Sequence, residues 1–136
     1  MPDIELKNIR NYVFNDLNME IFDKELLVVT GPNGAGKSTL LATIAGLVNY
    51  DGTVLFDGVT VDRIPTNERK IGYLFQNLAL FPHLNVASNI GYGMAVKGDG
   101  KTEIAQNVDE LLRLMRIEHL RDRYPKNLSG GERQRV

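Results

Sequence analysis

The apolar run Leu26-Leu27-Val28-Val29-Thr30 leads without a break into Gly31-Pro32-Asn33-Gly34-Ala35-Gly36-Lys37-Ser38, and a helix-prone stretch from Ser38 to Ala45 follows at once. Apolarity without alternation predicts a strand buried on both faces of a parallel sheet, and Gly46 is placed to end the helix. A buried strand, a glycine-rich turn and a helix in direct succession leave few folds open. The glycines let backbone N–H groups turn inward around anionic oxygens with no Cβ in the way. The helix N-terminus adds a partial positive charge of about half a unit at the same place. Together these features predict a phosphate-binding loop.

The spacing Gly31-x4-Gly36-Lys37-Ser38 meets the Walker A pattern in full, in the required context between a strand and a helix. Lys37 carries a mobile charge suited to the β- and γ-phosphates of ATP, and the Ser38 hydroxyl is placed to ligate Mg2+. Gly31, Pro32, Asn33, Gly34, Ala35, Gly36, Lys37, Ser38 and Thr39 are the expected nucleotide-binding set. A chance turn of this spelling is a poor alternative when glycine makes up roughly 7% of residues. Kinases, GTPases and motor ATPases share the loop, so it names a ligand before it names a function.

Elsewhere the pattern divides in two. Ile4, Leu6 and Ile9, then Leu17, Met19 and Ile21, alternate with polar residues and predict an antiparallel strand pair. Thr53 to Phe56, the turn Asp57-Gly58 and Val59 to Val61 predict a hairpin, and Ile71 to Phe75 predicts another buried strand. From Asn85 the period becomes helical: Val86 to Met94, then Thr102 to Met115 with Ile104, Val108, Leu111, Leu112 and Met115 on one stripe, then Ile117 to Arg121. The expected fold class is α/β, with a β-subdomain and phosphate-loop core over residues 1–76 and a helical subdomain over 77–136.

Composition excludes several classes. Net charge is -1, and mixed clusters such as Asn67-Glu68-Arg69-Lys70 read as solvated faces, so nothing predicts a nucleic-acid partner. Cysteine is absent, which removes disulfides and thiolate metal sites. No stretch approaches the roughly 18 apolar residues of a membrane span. The start Met1-Pro2-Asp3-Ile4-Glu5 lacks the apolar core of a signal peptide. Membrane association is therefore expected to run through a partner.

Two later segments narrow the reading. Leu128-Ser129-Gly130-Gly131-Glu132-Arg133-Gln134-Arg135-Val136 resembles the LSGGQ signature of ABC transporter ATPases, with Glu132 where glutamine is most often written. Ile71-Gly72-Tyr73-Leu74-Phe75-Gln76, running into Leu80-Phe81-Pro82-His83-Leu84, resembles the Q-loop region of the same family. The resemblance covers Ile4 to Val136, with the motifs in the family's order. It implies a P-loop NTPase core of RecA type with an N-terminal antiparallel β-subdomain and an α-helical subdomain. It also implies a dimer in which two ATPase subunits close head to tail around two ATP molecules. Ser129, Gly130 and Gly131 would then bind the γ-phosphate held by the other subunit, which a hydroxyl, open N–H donors and a helix start suit.

Catalytic roles for Lys37 and Gln76 follow from the same resemblance, with the Gln76 amide oxygen directed to Mg2+ or the attacking water. An aromatic residue is implied to stack on adenine: Tyr12, or Phe14 two residues on and on the same face. Leu78 to Ala95 would shape the groove for a transmembrane permease subunit, with Leu80, Phe81 and Leu84 at the interface and a solute-binding protein taking part indirectly. The implied location is peripheral, on the cytoplasmic face of the membrane. His83 and His119 have no ligand constellation around them and read as structural.

The family pattern continues with a strand ending in the Walker B aspartate, a neighbouring glutamate that polarises water, and a switch histidine. No apolar strand here ends in Asp-Glu, since Val108-Asp109-Glu110 falls in a predicted helix. The C-terminal part of the core is therefore expected to be missing and a sheet edge exposed, leaving a chain that binds nucleotide weakly and hydrolyses it negligibly alone. The N-terminal segment and Phe81 to Ile90 with Tyr92-Gly93 resemble importer ATPases for molybdate, tungstate, sulfate and related oxyanions. Two other classes stay open: a non-transport ABC ATPase of DNA repair or translation, and a non-hydrolysing nucleotide-binding fragment.

Overall fold

In the computed structural model, which describes residues 2–136, the chain divides into two units, Met1–Tyr73 and Leu74–Val136. The first unit is built on the alternating segments. Strand β1 (Ile4–Arg10) pairs antiparallel with β2 (Asn15–Ile21), matching Ile4 to Ile21 and Leu6 to Met19. The alternation breaks between Leu6 and Ile9 because β1 is irregular there, with Asn8 at φ 53°. Asparagine tolerates that left-handed conformation, and the extra residue returns Ile9 to the buried face.

On its other side β1 pairs antiparallel with β3 (Asp51–Phe56), which turns back into β4 (Val59–Thr60). The sheet order is β2-β1-β3-β4. Helix α1 (Lys37–Ala45) presses Leu40 and Ile44, one turn apart, onto this sheet. Together with Ile4, Leu6, Ile9, Ile21, Val54 and Val61 they form one apolar core.

Two expected strands do not form. Leu26 to Thr30 and Ile71 to Phe75 are assigned to no strand. A strand is defined by its ladder, and neither run finds one among the described residues. Leu26, Leu27, Val28 and Val29 accordingly stand 89%, 39%, 70% and 37% exposed instead of buried. The sheet that forms is the antiparallel one expected of the N-terminal subdomain, and the correction is confined to these two runs as strands.

The second unit is helical. Helix α2 (Val86–Lys97) starts at Asn85, whose Oδ1 accepts from Ser88 N at 2.9 Å, and ends at Gly98 in the left-handed conformation. Helix α3 (Lys101–Leu114) follows, then single 3-10 turns at Glu118–Leu120 and Pro125–Asn127, then α4 (Gly130–Arg133). Val86, Val108, Leu112, Ile117, Leu120 and Leu128 form its core. Of the predicted α3 stripe, Val108 and Leu112 are buried, whereas Leu111 and Met115 remain 40% and 39% exposed. Val108-Asp109-Glu110 lies in α3, and Asp109 is paired with Arg121.

Arg69 overturns the reading of its charge cluster as a solvated face, because it is only 6% exposed. Its guanidinium donates to Ile44 O at 2.9 Å and Ile64 O at 3.0 Å, and to the Tyr50 hydroxyl at 3.3 Å. Ile44 sits at the C-terminal end of α1, where free carbonyls and the negative end of the helix dipole favour a cation. Gly46, at φ 71°, makes room for it: a Cβ there would lie 2.5 Å from Arg69 Cζ.

The network continues outward. Tyr50 donates to Asp62 Oδ1 at 2.8 Å, and Asp62 also accepts from Val54 N and the Thr60 hydroxyl. Burial pulls the Asp62 carboxyl upward, but these donors and the nearby Arg69 charge outweigh it and leave it below its ordinary 3.8.

Replacing Arg69 with Ala strands the α1 carbonyls, and is expected to lower unfolding free energy by about 2–4 kcal/mol in urea titrations. Lys, a point donor without the planar fork, should recover less than half of that. Asp62 has a depressed pKa, so its stabilisation is present above the ordinary carboxylate range and is lost as pH falls through its folded value. Acid denaturation curves should therefore steepen below about pH 4 in the native chain, and Asp62→Asn should flatten that dependence.

Candidate functional site

The glycine-rich loop stands open on the first unit. Gly31, Gly34 and Gly36 take φ 150°, 83° and 90°, and Ala35 N donates to Pro32 O at 3.3 Å to close the turn. Gly36 is the N-cap of α1 in the left-handed conformation, so no side chain caps the helix, and its first turn carries no acid. The orphan N–H groups of that turn therefore face the loop without a carboxylate or hydroxyl from the chain to satisfy them. This is the arrangement that attracts an anion.

Lys37 folds back across the loop. Its Nζ donates to Gly31 O at 2.8 Å and Pro32 O at 2.7 Å. The ammonium thus sits over the turn, held by two backbone carbonyls, with one donor left for an incoming oxygen. Ser38 is exposed beside it and Thr39 is half-buried.

The turn at residues 11–14 lies against the same helix. A Cβ on Gly36 would come 2.5 Å from Val13 Cγ1 and 3.2 Å from the Phe14 ring, so the close approach needs glycine. The Tyr12 hydroxyl is 3.2 Å from Thr39 Oγ1. The two aromatics that spacing left equivalent have different surroundings: Tyr12 is 77% exposed, while Phe14 packs against the sheet core.

Gln76 and Ser129 to Gly131 belong to the second unit. Gln76 is exposed near its start. Ser129 caps α4 through a reciprocal box, its Oγ accepting from Glu132 N at 3.3 Å while Glu132 Oε2 accepts from Ser129 N at 2.6 Å. A Cβ on Gly130 or Gly131 would meet nothing within 4 Å, and neither has positive φ, so nothing inside the unit requires glycine there. Leu84 is half-buried, whereas Phe81 is exposed and packs on Tyr92 with ring centroids 4.4 Å apart.

Sequence reasoning missed Asn11, Thr43, Asn89 and Arg69. Asn89 clasps the loop before α2, exchanging bonds with Phe81 N and O and donating to Leu84 O. An asparagine within a turn was the available signal for Asn11. The others act through tertiary contacts that no local pattern records.

The family profile described as "ABC transporter" matches residues 14–136. The chain is similar to a maltose/maltodextrin import ATP-binding protein from Yersinia pestis, at 47% identity over 91% of this chain and 34% of that protein. It is similar also to a sulfate/thiosulfate import ATP-binding protein from Caulobacter vibrioides, at 52% identity over 90% and 38%. The chain spans about a third of the length of these curated relatives.

Among solved structures it resembles a dimeric ATP-binding cassette in a post-hydrolysis state with ADP and Pi, with TM-score 0.83, 28% identity, and 97% of this chain against 66% of that one. It resembles as well cbiO1 from Clostridium perfringens, part of an ABC transporter complex, with TM-score 0.81, 29% identity, and 98% against 58%.

Two glycine substitutions should behave oppositely. Gly36→Ala forces a side chain into Val13 at positive φ, and should cost about 1–3 kcal/mol of stability in urea melts. Gly131→Ala adds a methyl in open space within a helix, and should leave stability unchanged or raise it by up to about 1 kcal/mol.

Proposed function

This chain belongs to the ABC transporter family, and we propose that it carries the ATP-binding site of an import ATPase subunit. The observation that carries the reading is the uncapped N-terminus of α1 behind a glycine turn spanned by Lys37. The loop N–H groups and Lys37 hold the β- and γ-phosphates, and Tyr12, exposed beside Thr39, stacks on the adenine.

Among the described residues no cluster of three or more carboxylates, histidines or cysteines is assembled to hold a metal. That suits Mg2+ arriving with the nucleotide, since magnesium is commonly held by substrate phosphates and one or two protein groups. Ser38, exposed beside Lys37, would be one such group. Bound Mg2+ neutralises charge on the phosphates.

Ser129, Gly130 and Gly131 face the nucleotide of a second copy. The open space around both glycines supports a role set from outside the unit. The exposed aromatic surface at Phe81 and Tyr92 supports docking of a transmembrane permease, and such docking would hold the subunit peripherally at the cytoplasmic face of the membrane. No helix among the described residues is long and apolar enough to cross a membrane, which is compatible with attachment through a partner.

The oxyanion cargo is supported by the sulfate/thiosulfate relative. The maltose/maltodextrin relative, nearly as similar, supports cargo choice residing in other subunits.

ATP titration of the full chain by calorimetry with Mg2+ present tests the phosphate grip. Lys37→Ala removes a charge-assisted donor, and is expected to weaken ATP binding by about 10- to 100-fold. Equal affinity of the two proteins would sink the reading.

A further inference from the structure

The turn that carries Tyr12 is closed by one side chain. Asn11 Oδ1 accepts from Val13 N and Phe14 N, each at 2.9 Å, and Asn11 N donates to Phe14 O at 3.0 Å. The same side chain reaches the helix, its Nδ2 donating to Thr43 Oγ1 at 3.3 Å. Thr43 is 0% exposed, and its hydroxyl donates in turn to Thr39 O at 2.8 Å. Tyr12 meets Thr39, and Val13 covers Gly36.

Positions 36, 39 and 43 are spaced by three and four, so they share one face of α1. The turn is thus laid along the helix whose N-terminus carries the phosphate loop. Its two polar ties to that helix are the exposed contact of Tyr12 with Thr39 and the partly buried bond from Asn11 to Thr43.

We propose that Asn11 is a positioning residue which, through Thr43, fixes the distance between the Tyr12 ring and the phosphate loop and so sets the preference for a nucleoside triphosphate over bare triphosphate. The inference rests on the reading of Tyr12 as the base platform. A platform already held in place loses little freedom when a base stacks on it. A platform on a loose turn must be ordered by the ligand, and that cost falls on the base alone. The Asn11 side chain bonds to Val13, Phe14 and Thr43, and Lys37 to Gly31 and Pro32, so the two sets of hydrogen bonds share no residue and the phosphate grip is left intact.

The test compares ATP with inorganic tripolyphosphate, both with Mg2+, on the full chain and on Thr43→Val and Thr43→Ser. Valine keeps the shape and removes the acceptor, while serine keeps the acceptor. Thr43→Val is expected to weaken ATP binding by about three- to tenfold and leave tripolyphosphate unchanged, with Thr43→Ser close to the native chain. Should Thr43→Val fail to fold, Asn11→Ala on the partly exposed turn should give the same selective loss.

Equal weakening of both ligands, no weakening of either, or a serine variant as impaired as valine overturns the proposal. If the native chain binds ATP no better than tripolyphosphate, the base-platform reading falls and takes this inference with it. If it does prefer ATP but Thr43→Val keeps the full preference, this inference alone falls.

Discussion

A helix of nine residues has little independent existence in water, where isolated helices shorter than about 12–15 residues are marginal. Helix α1 is therefore formed by what surrounds it. Leu40 and Ile44 anchor one face in the sheet core, the turn at 11–14 covers another, and Arg69 takes up carbonyls at the C-terminal end. Strands β1 and β3 supply the surface that the helix packs on, and left-handed Gly46 with the buried guanidinium closes its C-terminal end.

The two ends of α1 are treated in opposite ways. At the C-terminus the chain answers its own polar groups, with Gly46 N donating to Thr43 O and Arg69 to Ile44 O. At the N-terminus it leaves them unanswered, with no cap and no acid in the first turn. An aspartate or serine at Gly36 would be the ordinary way to stabilise such a start. Its absence, with the Lys37 ammonium drawn over the turn, keeps the positive end of the dipole available. Rigidity comes from one end, and the other is left open and positively polarised.

Much of this was legible in the sequence because it is local. The alternation of β1 and β2, the start of α2 at Asn85, the stop at Gly46 and the helix start at Ser129 each depend on residues within a few positions. The glycine turn ahead of α1 was legible for the same reason. What failed depended on distant partners. Leu26 to Thr30 has the composition of a central strand, but composition supplies no ladder, and the run stays exposed. Arg69 sits in a stretch as polar as any surface turn, and only its fit against Gly46 and Tyr50 marks it as buried. Tyr12 and Phe14 were equivalent by spacing and became distinct once Phe14 entered the core.

The reciprocal pair at the start of α4 bears on how this signature can be spelled. What Ser129 asks of position 132 is a side-chain oxygen, two methylenes out, that can reach back to its amide, as Glu132 does at 2.6 Å. Glutamine offers the same oxygen without the charge. The two spellings are thus interchangeable in shape. They differ in how they meet acid. Ser129, through its side chain first and its amide second, holds the Glu132 carboxyl below the ordinary carboxylate range. The glutamate form keeps a charge-assisted clasp through mildly acid media and weakens it to a neutral hydrogen bond when the carboxyl takes a proton, whereas an amide in its place has no proton to take.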